Sequence, residues 1–207
     1  MASWWERHGV PRLIKCACSQ GQIMKVRSKV VPHARGHVLE LGCGGGINME
    51  FYRPGQIDSF SGLDPSPELL AMSVAAAAAR GIKSDIREGV GETMPFESGR
   101  FDTVVTTFTL CSVHDQAAVL NEIRRVLKPG GTALFLEHGA APDATVAKWQ
   151  RRIEPIWKRI GGNCHLTRPI SDAYEKAGFA VDRQAAAYIP KTPRPFGWYE
   201  YGEARPA

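Results

Sequence analysis

Two acids and a run of spaced glycines define the chemistry open to this chain. In Glu40-x-Gly42-x-Gly44-x-Gly46 a carboxylate stands two residues ahead of alternating glycines, and Asp64 follows Gly46 by 18 residues. Glycines accept positive φ and lack the Cβ atoms that would hold a ligand away from main-chain N–H groups, so such a turn suits a nucleotide-like molecule. A dinucleotide fingerprint would need a glycine at position 47, which is Ile47, so the G-x-G-x-x-G pattern fails. An acid ahead of the glycines would repel a pyrophosphate and fits a ligand carrying an ammonium or hydroxyls. Asp64 stands close to the distance at which a nucleotide-binding α/β unit places an acid on ribose hydroxyls. Capping the next helix is its other use, although Pro65 and Pro67 already mark that start.

These residues need strands ending at one edge to position them. His37 to Leu41 alternates and runs into the glycines, which predicts a strand, a tight turn and a helix from Ile47 through Tyr52. A second strand, Ser59 to Asp64, leads to a helix from about Pro67 to Arg80, rich in alanine and stopped at Gly81. Lys83 to Arg87 offers a weak third strand, and the β-branched run Phe101 to Thr107 a central buried one. Asp115 is placed to cap a helix with Val119, Leu120, Ile123, Val126 and Leu127 as its apolar stripe, stopped at Lys128-Pro129-Gly130-Gly131. The fifth strand follows from Thr132 to His138. Ala180 to Ile189 and Gly197 to Glu203 then read as an antiparallel hairpin. The fold class is α/β: a Rossmann-like, seven-stranded, mostly parallel sheet with helices on both faces and a C-terminal hairpin.

Composition excludes several classes. The 207 residues are 43% apolar and 23% charged, as in one soluble globular domain. No run approaches the roughly 18 apolar residues needed to cross a bilayer, and Met1 to Arg7 lacks a signal peptide's apolar core. Cys16, Cys18, Cys43, Cys111 and Cys164 lack the paired spacing of a zinc site, so no metal is expected and reduced thiols in the cytoplasm are the default. A net charge of +5 is too mild to predict a nucleic-acid partner. Residues 1–36, with Trp4, Trp5, Leu13, Ile14, Ile23, Met24 and Val26, are too apolar for a free tail. They are expected to form a helical lid or a packing segment ahead of a domain spanning 37–207.

The motif Glu40-x-Gly42-x-Gly44-x-Gly46, together with Arg125-Val126-Leu127-Lys128-Pro129-Gly130-Gly131, resembles the class I S-adenosylmethionine-dependent methyltransferases. The resemblance covers about Gly36 to Gly178 and implies S-adenosylmethionine as cofactor, with S-adenosylhomocysteine as product. Its implied binding residues are Glu40, Gly42, Cys43, Gly44, Gly46, Asp64 and Pro65, with Gly91 and Glu92 contacting adenine through their main chain. Val90 stands where many relatives have an acid. Thr106 and Thr107, at the end of the central strand, are implied to touch the methionine part. Leu110-Cys111-Ser112-Val113 with Glu137-His138, and Ile153-Glu154-Pro155-Ile156-Trp157 with Cys164-x-Leu166-Thr167-Arg168, resemble the alkyl-thiol methyltransferase branch.

That branch implies direct in-line transfer of a methyl group to a small thiol. A thiolate attacking a sulfonium loses charge on both sides, so a dry pocket favours it, and a nearby imidazole raises the thiolate fraction. His138, His114 and His165 are the catalytic candidates, since each adjoins a loop expected at the active edge. Cys111 reads as pocket lining. Asp143 to Gly161 predicts an amphipathic helix with a buried face of Val146, Trp149, Ile153, Trp157 and Ile160, bent or divided at Pro155. Its basic face, Lys148, Arg151, Arg152, Lys158 and Arg159, keeps open peripheral contact with an anionic membrane and a phospholipid or quinone acceptor. A non-catalytic cofactor-binding sensor or scaffold is the alternative of another class, and the sequence leaves the oligomeric state open.

Overall fold

The computed structural model describes residues 19–207. Residues 1–18 of the expected lid, including Cys16 and Cys18, lie outside them. The chain begins with α1 (Gly21–Val30), then β1 (Gly36–Leu41), β2 (Ile57–Asp64), α2 (Pro67–Ala79), β3 (Ser84–Glu88) and β4 (Phe101–Thr107). It continues through α3 (Gln116–Val126), β5 (Leu127–His138), α4 (Ala144–Ile160), α5 (Ile170–Lys176), β6 (Phe179–Tyr188), the single turn α6 (Arg194–Gly197) and β7 (Trp198–Pro206). The strands form one seven-stranded sheet in the order β3-β2-β1-β4-β5-β7-β6. The first five are parallel, and β7 runs antiparallel to both β5 and β6.

Register explains why the functional residues collect at one edge. Leu41, the last residue of β1, pairs with Leu63 of β2 and with Thr106 of β4, which pairs with Phe135 of β5. The carboxyl ends of four strands therefore finish level, at the edge where open α/β sheets hold ligands. Leu39, Val104 and Phe135 face Leu120 and Ile123 of α3 and Tyr174 of α5. On the opposite face Val38, Val105 and Leu134 meet Val26 and Val30 of α1 and Ala77 of α2.

Three local expectations are corrected. The helix expected from Ile47 is one 3-10 turn, Ile47–Glu50, because Pro54 soon starts another short turn at Pro54–Gln56. Lys128–Gly131 does not separate helix from strand. β5 begins at Leu127 and takes these residues as an irregularity in its pairing with β4. α4 runs unbroken through Pro155. Of the expected buried face Val146 is buried, Ile153 and Trp157 are half-buried, and Trp149 and Ile160 are 52% and 44% exposed; Ile156, outside that face, is 67% exposed.

Candidate active site

The glycine turn after β1 is shaped by two contacts. Gly42 has a φ of +69°, and a Cβ there would collide with the Thr109 hydroxyl, which itself donates to the Leu41 carbonyl at 3.1 Å. Gly44 also has positive φ, at +50°, but a Cβ there would have no neighbour nearer than 3.9 Å. Gly42 and Cys43, just ahead of it, line a cavity. The Gly44 N–H donates to Asp64 Oδ2 at 2.9 Å, and Asp64 Oδ1 accepts from the Ser66 N–H at 2.9 Å. Asp64 thus ties the turn to the start of α2, and burial raises its pKa against the pull of these two donors.

The cavity measures ≈ 400 Å³, the size range of small-ligand sites. One wall is the glycine turn, Asp64 and Pro65; another is Val90, Gly91 and Glu92; the far end is Ser112, Val113, His114, Gly162 and Asn163. A larger depression of ≈ 550 Å³, lined by Asp58, Asp102 and Lys128, lies where the strands begin. It stands at the wrong sheet edge for a ligand site of this fold.

The floor is a polar network that the sequence reading passed over. Arg27 of α1, 3% exposed, donates from Nη1 to Asn48 Oδ1 and to Thr107 Oγ1, both at 2.6 Å. Asn48 Nδ2 donates to Glu40 Oε1 at 2.9 Å and to Thr107 Oγ1 at 3.0 Å, and the Tyr52 hydroxyl donates to Glu40 Oε2 at 2.7 Å. Burial pushes Glu40 up to about 7, against the Tyr52 and Asn48 hydrogen bonds and the Arg27 charge. Among the described residues the Arg27 Nε–H has no partner, and Arg27 lines the cavity, so its guanidinium brings a positive charge to the cavity wall. The signal was there to read: Ile23, Val26, Arg27 and Val30 share one helical face, and a charge inside an apolar stripe needs a partner.

Beyond the cavity's far end lies a second cluster. Phe108, directly after β4, holds a φ of +54°, a left-handed conformation that is costly for a bulky side chain. Its ring stacks on His138 at 6.2 Å between centroids and lies under the Arg27 guanidinium at 5.4 Å. His138 Nε2 stands 3.0 Å from Cys164 Sγ, to which Trp157 Nε1 donates at 3.2 Å. Cys111 completes the group. Cysteines that look scattered along the chain therefore converge in space.

The loop bearing Cys111 is held from outside. His165 N–H donates to the Cys111 carbonyl at 2.8 Å, Asn163 Nδ2 to the Ser112 carbonyl at 2.9 Å, and Arg168 to the carbonyls of Leu110 and Val113. From below, the Glu137 carboxylate accepts from the N–H groups of Thr109 at 2.8 Å and Leu110 at 3.1 Å.

A methyltransferase domain family model matches residues 39–135. The chain is 40% identical over 170 residues to a thiol S-methyltransferase of Rattus norvegicus and 37% identical over 169 residues to one of Homo sapiens. Each match covers 80% of this chain and 66% of the relative's length. In fold it is similar to the YcgJ protein of Bacillus subtilis, with a TM-score of 0.67 at 14% identity, over 88% of this chain and 94% of that one. The chain belongs to the class I S-adenosylmethionine-dependent methyltransferases.

In this methyltransferase the expected cofactor residues divide. Gly42, Cys43, Asp64, Pro65, Gly91, Glu92 and Thr107 line the cavity, as does Glu40, although both of its oxygens already accept hydrogen bonds. Gly44 and Gly46 stand outside its lining, and Gly46 serves packing: a Cβ there would press on Ala76 of α2 at 2.8 Å. Thr106 does not line it: its hydroxyl faces Tyr174 on the other side of the sheet, 3.4 Å away. Successive strand residues point to opposite faces, and with both faces of β4 buried no alternation marks which threonine turns toward the ligand.

The three histidines also separate. His114 lines the cavity, with its N–H donated to Glu92 Oε1 at 2.8 Å. The His165 ring lies 3.1 Å from the Cys111 carbonyl through Nδ1, a bracing contact. His138 alone joins the cysteine cluster. The hydrogen bond from Cys164 and the His138 charge hold Cys111 well below the usual thiol range despite burial. Burial is the largest single effect on His138 and pulls it down, but the Cys111 charge, the Cys111 hydrogen bond and the Glu137 charge together raise the imidazole.

The cavity fits the family's cofactor by its donor set: a buried guanidinium for a carboxylate, an acid beside an open glycine turn for hydroxyls, and apolar Leu63, Leu69 and Val90 for a ring. No helix among the described residues is long and apolar enough to cross a membrane.

Proposed function

We propose that this methyltransferase moves the methyl group of S-adenosylmethionine to a small thiol. The observation that carries the reading is the juxtaposition of a cofactor-sized cavity with the Cys111, His138 and Cys164 cluster just past its far end. The identity to two proteins named thiol S-methyltransferases supports it. When bound, S-adenosylmethionine supplies a methyl group on a positively charged sulfur. Arg27 receives its carboxylate, Asp64 its ribose hydroxyls, and the main chain of Gly91 and Glu92 its adenine, with Thr107 held in place by Arg27 and Asn48. Phe108 and the braced Cys111 loop close the far end and exclude water, which favours a reaction that consumes opposite charges. His138 serves the acceptor side.

The test is kinetic. His138→Ala lowers labelled-methyl transfer to an alkyl thiol by at least about tenfold, the lower part of the range for acid–base groups, while the Kd for S-adenosylmethionine stays unchanged. Wild-type turnover in the variant removes His138 from the reaction.

One observation favours a second reading, a phospholipid or quinone acceptor taken from a membrane. Trp149, Ile156 and Ile160 are exposed on α4, which also carries Lys148, Arg152 and Arg159, the composition of a helix that lies in an anionic interface.

A further inference from the structure

We propose that Cys111, His138 and Cys164 form a site for a thiophilic divalent cation, zinc above all, and that this cation receives the acceptor thiol; the second half rests on the thiol reading above. The three residues come from three different parts of the chain: the loop after β4, the end of β5 and the loop after α4. Their ligand atoms nevertheless lie within 4.8 Å of one another, and among the described residues no other such trio is found. A tetrahedral zinc ion, with Zn–S near 2.3 Å and Zn–N near 2.0 Å, needs ligand atoms roughly 3.5–3.8 Å apart. The 3.0 Å between His138 Nε2 and Cys164 Sγ has only to widen by about half an ångström, a side-chain rotation.

The chemistry of the trio selects the ion. Two thiolates and an imidazole prefer zinc to magnesium or calcium, which take oxygen ligands. Two thiolates also neutralise the dication, which lets the whole centre sit in a buried place: Cys111 is 2% and Cys164 8% exposed. The surroundings supply the support that metal ligands need. Trp157 Nε1 donates to Cys164 Sγ, Ser112 Oγ lies 3.5 Å from Cys111 Sγ, Phe108 fixes the His138 ring, and the His165 N–H pins the Cys111 main chain.

Three protein ligands leave the fourth tetrahedral position open, the pattern of catalytic rather than structural zinc. Ser112 and Asn163, the chain neighbours of Cys111 and Cys164, form the cavity wall next to it. An acceptor thiol entering there binds the cation through sulfur and releases its proton to water. A sulfur lone pair then forms the new S–CH3 bond as the bond between the methyl carbon and the sulfonium sulfur breaks, that bonding pair staying on the departing sulfur. No electron is gained or lost by the protein or the cation. The product thioether is neutral, a poor ligand, and leaves.

The experiment uses the whole reduced chain, loaded with zinc, dialysed and assayed for metal by plasma mass spectrometry, with affinity read by competition against a chromophoric chelator. One equivalent of zinc per chain is expected. Cys111→Ser and Cys164→Ser are expected to weaken it by about a hundredfold or more, at least what loss of an outer-shell partner costs, while Cys43→Ser keeps it. Circular dichroism and calorimetric S-adenosylmethionine binding show which variants are folded. Cobalt in place of zinc should give a thiolate-to-metal charge-transfer band that both cluster variants lose. Zinc bound with no transfer to any thiol leaves the metal site standing and overturns its acceptor role together with the thiol reading. Thiol transfer that survives zinc removal overturns the acceptor role alone. No zinc above the level of the Cys111→Ser variant, or a Cys111–Cys164 disulfide whose reduction restores no zinc binding, overturns the site itself.

Discussion

Glu40 is buried with Tyr52 and Asn48 on its two oxygens, and the cost of leaving it charged there sets a pH dependence. Its pKa is raised from 4.5 to about 7, so between those values the folded chain holds a proton that the unfolded chain has released. Stability is unaffected by this group below pH 4.5 and falls as pH rises toward 7, by about 3 kcal/mol at 1.4 kcal/mol per unit. Glu40→Gln removes that slope: its melting temperature, followed from about pH 5 to 8, should fall less than the wild type's, and equal slopes would refute the burial account. Gly44 and Asp64 make a sharper pair. Gly44→Val puts a branched side chain at a positive φ on the turn whose Gly42 and Cys43 line the cavity, and Asp64→Ala frees the Gly44 and Ser66 N–H groups. Each should weaken S-adenosylmethionine binding by at least about tenfold, or 1.4 kcal/mol. Calorimetry giving wild-type affinity in both would undo the cavity's assignment.

At the scale of elements, α4 is where pattern and packing part. Its stripe has ideal helical spacing, yet the protein buries Val146, half-buries Ile153 and Trp157 and leaves Trp149 and Ile160, with Ile156 beside them, to solvent. If this face meets anionic membrane, Trp149→Glu with Ile156→Glu should abolish sedimentation with phosphatidylserine vesicles and change nothing with neutral ones; equal sedimentation of the variant and the wild type counts against the membrane reading. The strands were more legible. β4 was readable to the residue, because a β-branched run has few alternatives, and Asp115 caps α3 as its position promised, accepting from the Ala118 N–H at 3.0 Å. What stayed hidden was direction and convergence. Period-two alternation is lost in a strand buried on both faces, so Thr106 and Thr107 could not be told apart. Arg27, Asn48 and Tyr52 meet Glu40 only through the crossing of α1 and the turn after β1, and Cys111 meets Cys164 only because a braced loop folds over the sheet's edge.

For the whole molecule, one sheet edge carries two adjoining sites: a cavity built from four level strand ends, and beyond it a dry cluster of sulfur and imidazole. The first holds most of the residues expected to bind the cofactor, and the second is the proposed acceptor site. The destination of the methyl group therefore decides between the acceptor classes. The most direct measurement offers labelled S-adenosylmethionine with a panel of small thiols, phenols, amines and a phospholipid, alongside a no-acceptor control. Label should pass to thiols and to no other class. Label on the phospholipid alone, or tight cofactor binding with no transfer to any acceptor, would contradict it.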